Sequence, residues 1–299
     1  MVVSLKTMPQ LTHLIVPYIA TDALVAAVGA ACPRLELLDI SGTELVTDRG
    51  VVELVRQTEG WDPGPTSLTS TLRFLLIGGP GGRRLSAETA GYLLVRLPLM
   101  ISLGSFPHSS QVVSEAVRRS GGRRGCDTTF QLKYLHDQNT AEENLADVTR
   151  FCPELRTIFL DNPEQGVLCM LDKFQHLRKL KFNKVTFEQL LDTTKLLRKQ
   201  ITMIELVAAH GTLDLGLLSE HCPNLAVLEI FYSKNVISKT SAKFNRLKKC
   251  VIYCTDISGA AACDLIENSP NIEHLNLSSA SSLTHASLQR TVLSGRVLV

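Results

Sequence analysis

The chain has 299 residues, 44% hydrophobic and 20% charged, ordinary proportions for a folded protein. Its 31 basic and 29 acidic residues leave a net charge of +2, which argues against a nucleic-acid or membrane-surface partner. No apolar run approaches the roughly 18 residues that cross a bilayer, and the eight cysteines, spread along the chain, read as reduced structural residues of a cytoplasmic or nuclear protein.

From the N-terminus, the first element is a strand at Leu11, Leu14 and Val16, in the pattern apolar-x-x-apolar-x-apolar. The apolar stretch Ala23–Cys32 follows. Only Lys6 precedes it and Pro9 and Pro17 intervene, so Thr21-Asp22 is read as a helix cap rather than the edge of a signal peptide. Leu35, Leu38 and Ile40 repeat the strand pattern, and Thr47-Asp48 opens a helix containing Val51, Val52, Leu54 and Val55. Glu59–Ser70, with Trp61-Asp62-Pro63-Gly64-Pro65, reads as a turn-rich insertion. Leu72, Leu75 and Ile77 form the next strand, and Ser86 caps a helix with Tyr92, Leu93 and Val95. Residues 78–125 are the least regular: Gly78–Arg84 and Arg118–Gly125 are glycine- and arginine-rich loops, and Arg96–Phe106 holds another strand with Leu97, Leu99, Met100 and Leu103 partly buried.

Order returns at Leu132 and Leu135, then at Leu155/Ile158/Leu160, Leu177/Leu180/Phe182, Ile201/Ile204/Leu206, Leu225/Leu228/Ile230, Leu247/Cys250/Ile252 and Ile272/Leu275/Leu277. The last six begin 22, 24, 24, 22 and 25 residues apart. Thr140 with Glu143 and Thr186 with Gln189 have capping-box spacing, and Thr212 and Ser258 look like single caps. A period of 20–29 residues carrying this strand pattern signals a leucine-rich-repeat solenoid. The expected class is therefore α/β: one solenoid over residues 1–299, about ten repeats, with a curved parallel sheet inside, helices of nine to twelve residues outside, and irregular insertions at 59–70 and 78–125.

The segment Cys32-Pro33-Arg34-Leu35-Glu36-Leu37-Leu38-Asp39-Ile40-Ser41-Gly42-Thr43, running on into Leu45-Val46-Thr47-Asp48-Arg49-Gly50-Val51, resembles the cysteine-containing leucine-rich repeat. His221–Ser233 and Phe151–Asp161 repeat its first half, and Thr255–Ala261 and Ser282–Leu288 keep traces of its second. The resemblance covers essentially the whole chain and points to the repeat domains of F-box/leucine-rich-repeat proteins and to ribonuclease-inhibitor-like solenoids. It implies binding of a protein partner, in particular substrate recognition for a ubiquitin ligase. Two departures follow. The position often filled by Asn or Cys holds Thr43, Pro163, Val185, Ser233, Thr255 and Ala280, so its hydrogen-bond ladder is expected to be partial or absent. No F-box precedes Leu11, and the termini carry little polar capping, so a ligase role needs ubiquitin-ligase components recruited through a longer parent chain, of which this is a fragment or short isoform; the alternative is a stand-alone adaptor or inhibitor.

No G-x-S-x-G, H-E-x-x-H or P-loop motif occurs, and the histidines make no metal-ligand spacing, so neither catalysis nor a metal or cofactor is expected. Cys250 and Cys254 lie four apart, but Cys250 falls on a core position. The arginine-rich loops lack interleaved aromatics, which disfavours nucleic acid.

The remaining candidate is the outward strand face, because alternate strand side chains point away from the core. It carries Leu37 and Asp39, Phe74 and Leu76, Tyr134, Phe159, Lys179 and Lys181, Met203 and Glu205, and Val227 and Glu229. Large apolar groups on a solvent face either mark an interaction surface or lie beneath covering loops. The face would bind its partner by apolar anchoring, with the lysines and glutamates setting specificity.

Overall fold

An apolar residue at every second strand position buries one face of a sheet, and a helix of matching apolar stripe covers that face. The computed structural model is built this way and describes residues 5, 7–56, 67–79, 85–121, 129–197 and 200–278. Trp61–Pro65, most of both glycine- and arginine-rich loops, Ala280 and the Ser282–Leu288 motif lie outside the described residues. The chain divides into two compact units, Met1–Leu155 and Arg156–Val299, each of mixed α/β type with parallel strands.

The first unit runs β1 (His13–Ile15), α1 (Asp22–Ala31), β2 (Leu37–Asp39), α2 (Asp48–Arg56), α3 (Leu68–Thr71), β3 (Phe74–Leu76), α4 (Ala87–Arg96), α5 (Ser109–Arg119), β4 (Tyr134–Gln138) and α6 (Glu142–Phe151). Strands β1, β2 and β3 pair in parallel, with His13 opposite Leu37 and Leu37 opposite Phe74. The second unit runs β5 (Thr157–Asp161), α7 (Gln165–Cys169), a 3-10 turn (Met170–Lys173), β6 (Lys179–Asn183), α8 (Phe187–Leu197), β7 (Met203–Val207), β8 (Leu213–Asp214), α9 (Leu215–His221), β9 (Val227–Phe231), β10 (Val236–Ile237), β11 (Lys249–Tyr253), α10 (Gly259–Glu267) and β12 (His274–Asn276). Its long strands lie in the order β5-β6-β7-β9-β11-β12. Each repeat thus sits beside the next, in register: Ile158 opposite Leu180, Leu180 opposite Ile204, Ile204 opposite Leu228, Leu228 opposite Cys250. The leucine pattern thereby becomes a fully buried column.

Two backbone devices repeat. Cys32, Cys152 and Cys222 close α1, α6 and α9 with nearly the same conformation (φ/ψ −121/68, −123/65 and −121/65), and each N–H bonds the carbonyl four residues back. Each cysteine carbonyl then accepts the N–H of the first apolar residue of the next strand, Leu35, Leu155 or Leu225. At the far end, the seventh residue after that apolar position is left-handed in repeat after repeat: Tyr18, Gly42, Gly79, Asn139, Asn162, Lys184, Ala208, Tyr232 and Cys254. In the second unit its N–H donates to the next strand's exit carbonyl: Asn162 to Asn183, Lys184 to Val207, Ala208 to Phe231, Tyr232 to Tyr253.

The same devices locate the strand expected within Arg96–Phe106. Leu97 has the cysteine-position conformation (φ/ψ −119/73), and Met100 N–H bonds its carbonyl. The repeat therefore begins at Met100, with Met100 and Leu103 buried and Leu99 only partly so. It is held beside β3 by the parallel bridge between Phe74 and Ser102. Residues 67–70, expected as loop, lead into the short helix α3 instead, with Leu68 buried.

Helix starts bear out most of the caps. Thr21, Ser86 and Ser258 accept N–H groups three residues on, and Thr186 and Gln189 bond reciprocally at 2.9 and 3.2 Å. Two differ. Helix α6 begins after Ala141 without a side-chain cap, because Thr140 is buried. Helix α9 is capped by Asp214 rather than Thr212, through Gly216 N–H at 3.0 Å. The repeat between β9 and β11 contains no helix, so strand–turn–helix is not universal. The side-chain ladder is partial: Thr43 donates to Ala20 O, Ser233 accepts from Ala209 N–H and Thr255 from Ser233 N–H, while Pro163 and Val185 have no hydroxyl to contribute.

Adjacent helices pack closely and are tied by carboxylates. A Cβ on Gly29 of α1 would lie 2.3 Å from Leu54 O of α2, so only glycine permits this approach. The Asp22 carboxylate accepts both the N–H and the hydroxyl of Thr47, each at 2.7 Å. In the same way Asp137, buried on β4, holds Ser110 at the start of α5 through its N–H and hydroxyl.

The seven described cysteines are free. Burial raises the thiol of Cys152 far up and those of Cys222 and Cys250 to about 12, keeping the reactive thiolate scarce. Native-state alkylation at pH 8 is therefore expected at Cys169 and Cys254, which are exposed, and not at Cys152, Cys222 or Cys250; mass spectrometry finding these buried thiols labelled at the same rate would contradict the packing. Asp22→Ala is expected to lower unfolding stability in urea by about 1–3 kcal/mol, the scale for losing charge-assisted hydrogen bonds.

Candidate functional site

The candidate residues emerge from the core as two rows in each unit. In the first, Leu37 lies opposite Phe74 and Asp39 opposite Leu76, with His13 and Ile15 beyond them on β1. Asp39 turns back on its own loop and accepts the N–H and hydroxyl of Ser41. Tyr134 stands on β4 of this unit. In the second unit, one row is Thr157, Lys179, Met203, Val227, Lys249 and His274. The other is Phe159, Lys181, Glu205, Glu229, Val251 and Asn276.

These side chains do point out of the core, but less freely than the alternation suggests. Leu37, Phe74, Leu76, Tyr134, Phe159, Met203 and Val227 are all half-buried. In-register neighbours stand about 4.8 Å apart, so each outward side chain shades the next. Lys179 alone of the twelve candidates is exposed.

The charges are organised. Lys181 Nζ lies 2.5 Å from Glu205 Oε2, and Lys249 Nζ lies 2.8 Å from Glu229 Oε1. Glu205 and Glu229 are directly opposite on β7 and β9, with side chains only 20% and 13% exposed. Two like charges at that spacing repel, and the flanking lysines neutralise them. Asn183 extends the polar end by donating to Asp161 at 2.9 Å.

Several of the exposed apolar groups lie outside the candidate set, at the strand exits. Tyr232 is 60% exposed and Tyr253 40%. Their rings meet edge-on with centroids 6.0 Å apart, and Phe231 lies 6.5 Å from Tyr253. Tyr232 occupies the left-handed position, which turns its side chain away from the sheet. In the first unit Tyr18 holds the same position, 67% exposed, and Ile15, Ile19 and Leu45 are exposed as well. For Tyr18 and Tyr232 the signal was present in the sequence as the seventh residue after the first apolar position, one place beyond the alternating stretch.

Among the described residues no three His, Cys, Asp or Glu side chains come together in a way that could hold a metal ion, and no helix is long and apolar enough to cross a membrane. No protein-family model matches the chain, and a search of curated proteins finds none similar to it.

Lys249→Met leaves Glu229 beside Glu205 without its counter-ion. It is expected to cost on the order of 0.5–1 kcal/mol, and adding Glu229→Gln should restore most of that. Urea unfolding of the single and double variants reads this directly; equal stability of all three would show that the pair contributes nothing.

Proposed function

We propose that this chain is a leucine-rich-repeat solenoid of the cysteine-containing class, and that it binds a protein partner on its strand face without catalysing a reaction. The observation that carries the reading is the register: strands 22 to 25 residues apart pair in sequence order, each first apolar residue above the last. A doubly wound nucleotide-binding fold is the main structural alternative. Its strand order reverses at a switch point, where the ligand sits. The order β5-β6-β7-β9-β11-β12 has no reversal, and the buried cysteines at one repeat position favour the repeat class. Repeats of this kind stack into long surfaces suited to binding.

Within the second unit the anchor is the Phe231, Tyr232 and Tyr253 cluster, because exposed aromatics are the usual centres of protein interfaces. Phe159, Met203 and Val227 extend it as a half-buried apolar floor. The paired Lys181–Glu205 and Lys249–Glu229 set which charges a partner must match. The preferred role is substrate recognition for an F-box-type ubiquitin ligase, through a longer parent chain, in the cytoplasm or nucleus. A stand-alone adaptor or inhibitor is the alternative.

Affinity purification from source cells, comparing the native chain with Tyr232→Ala/Tyr253→Ala, tests the reading. The two tyrosines are exposed, so the variant keeps its circular dichroism and melting temperature. A specific partner should be lost by about tenfold or more, the scale of a two-residue hot spot. Ligase scaffold subunits co-purifying with a longer form would support the ligase role, and a stoichiometric partner without them the adaptor role. Undiminished recovery of every partner with the variant would overturn the assignment of the anchor.

A further inference from the structure

At the opposite, entry ends of the second unit's strands lies a groove of about 590 Å³, lined by Thr202, Ala226, Asn245, Arg246, Lys248 and Asn271 among others. It arises from repetition. Thr202, Ala226 and Lys248 each follow the first apolar residue of their repeat, while Arg246 and Asn271 each precede it. Position by position, the groove is therefore extended along the sheet edge.

The carbonyls at its strand entries are already engaged. The Thr202 carbonyl takes the N–H groups of Ala226 and Val227, that of Ala226 takes Lys248 and Lys249, and that of Lys248 takes Glu273 and His274. Asn271 Nδ2 donates to Asn245 O at 2.6 Å. What remains unengaged is donor chemistry. The Arg246 guanidinium and the Asn245 side-chain amide make no hydrogen bond or ion pair with any described residue. Beside them, Lys248 Nζ lies 2.8 Å from Glu273 Oε1, in a pair whose side chains are 61% and 69% exposed. Two cations thus face one carboxylate, and the carboxylate is held loosely.

We propose that this groove binds a phosphate monoester. Arg246 takes two phosphate oxygens through its planar fork, the geometry that guanidinium and phosphate share. Asn245 and Lys248 supply donors to the third, Lys248 exchanging Glu273 for the ligand. A carboxylate has only two oxygens and would leave one of these donors unmatched. The lining contains no aromatic ring, so a nucleobase would have nothing to stack on, and the carrier of the phosphate is a polar chain such as a peptide or a sugar. Glu273 acts as a built-in competitor that sets the affinity.

Fluorescence polarisation and calorimetry on the full chain, with four probes, test this: a phosphoserine peptide, its unphosphorylated form, glucose 6-phosphate and inorganic phosphate. A phosphorylated probe should bind, weaken with salt, and exceed the unphosphorylated peptide by about tenfold or more. Arg246→Ala should abolish that preference, and Glu273→Gln should tighten binding several-fold. Tyr232→Ala/Tyr253→Ala, at the far ends of the strands, should leave it unchanged, so failure here and failure of the protein-binding anchor are separable. Preference for the peptide over glucose 6-phosphate identifies the carrier as a protein segment, and the reverse identifies a small metabolite. Equal binding of phosphorylated and unphosphorylated peptides without any affinity for glucose 6-phosphate, response to inorganic phosphate alone at tens of millimolar, or full affinity in Arg246→Ala would each overturn the proposal.

Discussion

One hydrogen bond sets the terms for the rest of the second unit: the N–H of the left-handed residue that ends each strand, donated to the exit carbonyl of the next strand. It closes the ladder at the same place in successive repeats, so β5, β6, β7, β9 and β11 all run five residues. A left-handed residue also bends the chain sharply at one position, which takes the backbone out of the strand. At the entry end, the N–H groups of the next repeat's second and third positions share a single carbonyl, as Thr202 and Met203 share Arg178 O. Between these two fixed points the register has no freedom. A one-residue slip would turn every leucine outward and every lysine and glutamate inward.

This constraint has a conformational cost, met unevenly along the chain. Gly42, Gly79, Asn139 and Asn162 are residue types that tolerate positive φ, but Tyr18, Lys184, Ala208, Tyr232 and Cys254 are not. Strain of roughly 1–2 kcal/mol at each of the latter persists because the neighbouring repeat holds the N–H in place. Gly42 shows the accommodation from the other side: a Cβ there would meet the Tyr18 ring at 2.3 Å, so the glycine makes room for the tyrosine one repeat earlier. The exposure of Tyr18 and Tyr232 is thus a consequence of where the chain must turn.

The apolar triplets were legible because each column depends on side chains alone: Leu, Ile, Phe and even Cys250 suit a buried site of that shape. Caps at Thr21, Ser86, Thr186 and Ser258 were legible for a similar reason, since a hydroxyl three residues ahead of an N–H is a local geometry. What escaped was decided by neighbours. The Met100 repeat ends its pattern at Ser105 and lies 28 residues after Leu72, so only the backbone of β3 reveals its register. Thr140 has the right spacing for a cap but is drawn into the interior beside Asp137, and Asp214, a stronger acceptor, displaces Thr212. Which strand side chains leave the core was legible from the alternation, but their half-burial was not, because shading by in-register neighbours is invisible in a single strand.

On the proposed binding role, the charges of that face bear on how it would discriminate. Glu205 and Glu229 are largely covered, whereas Lys249 keeps 44% of its side chain exposed and Lys179 stands open. An approaching protein therefore meets ammonium groups first and carboxylates only after displacing them. A partner bringing a basic side chain would be repelled at the surface and could reach the carboxylates only by breaking an ion pair already made. A partner bringing an acidic side chain can bond the outer lysine while Glu229 still holds its inner flank, so no buried charge is left unmatched. The two lysine–glutamate pairs balance in charge but are ordered in depth, and on the proposed binding face it is that depth that would set a preference between partners.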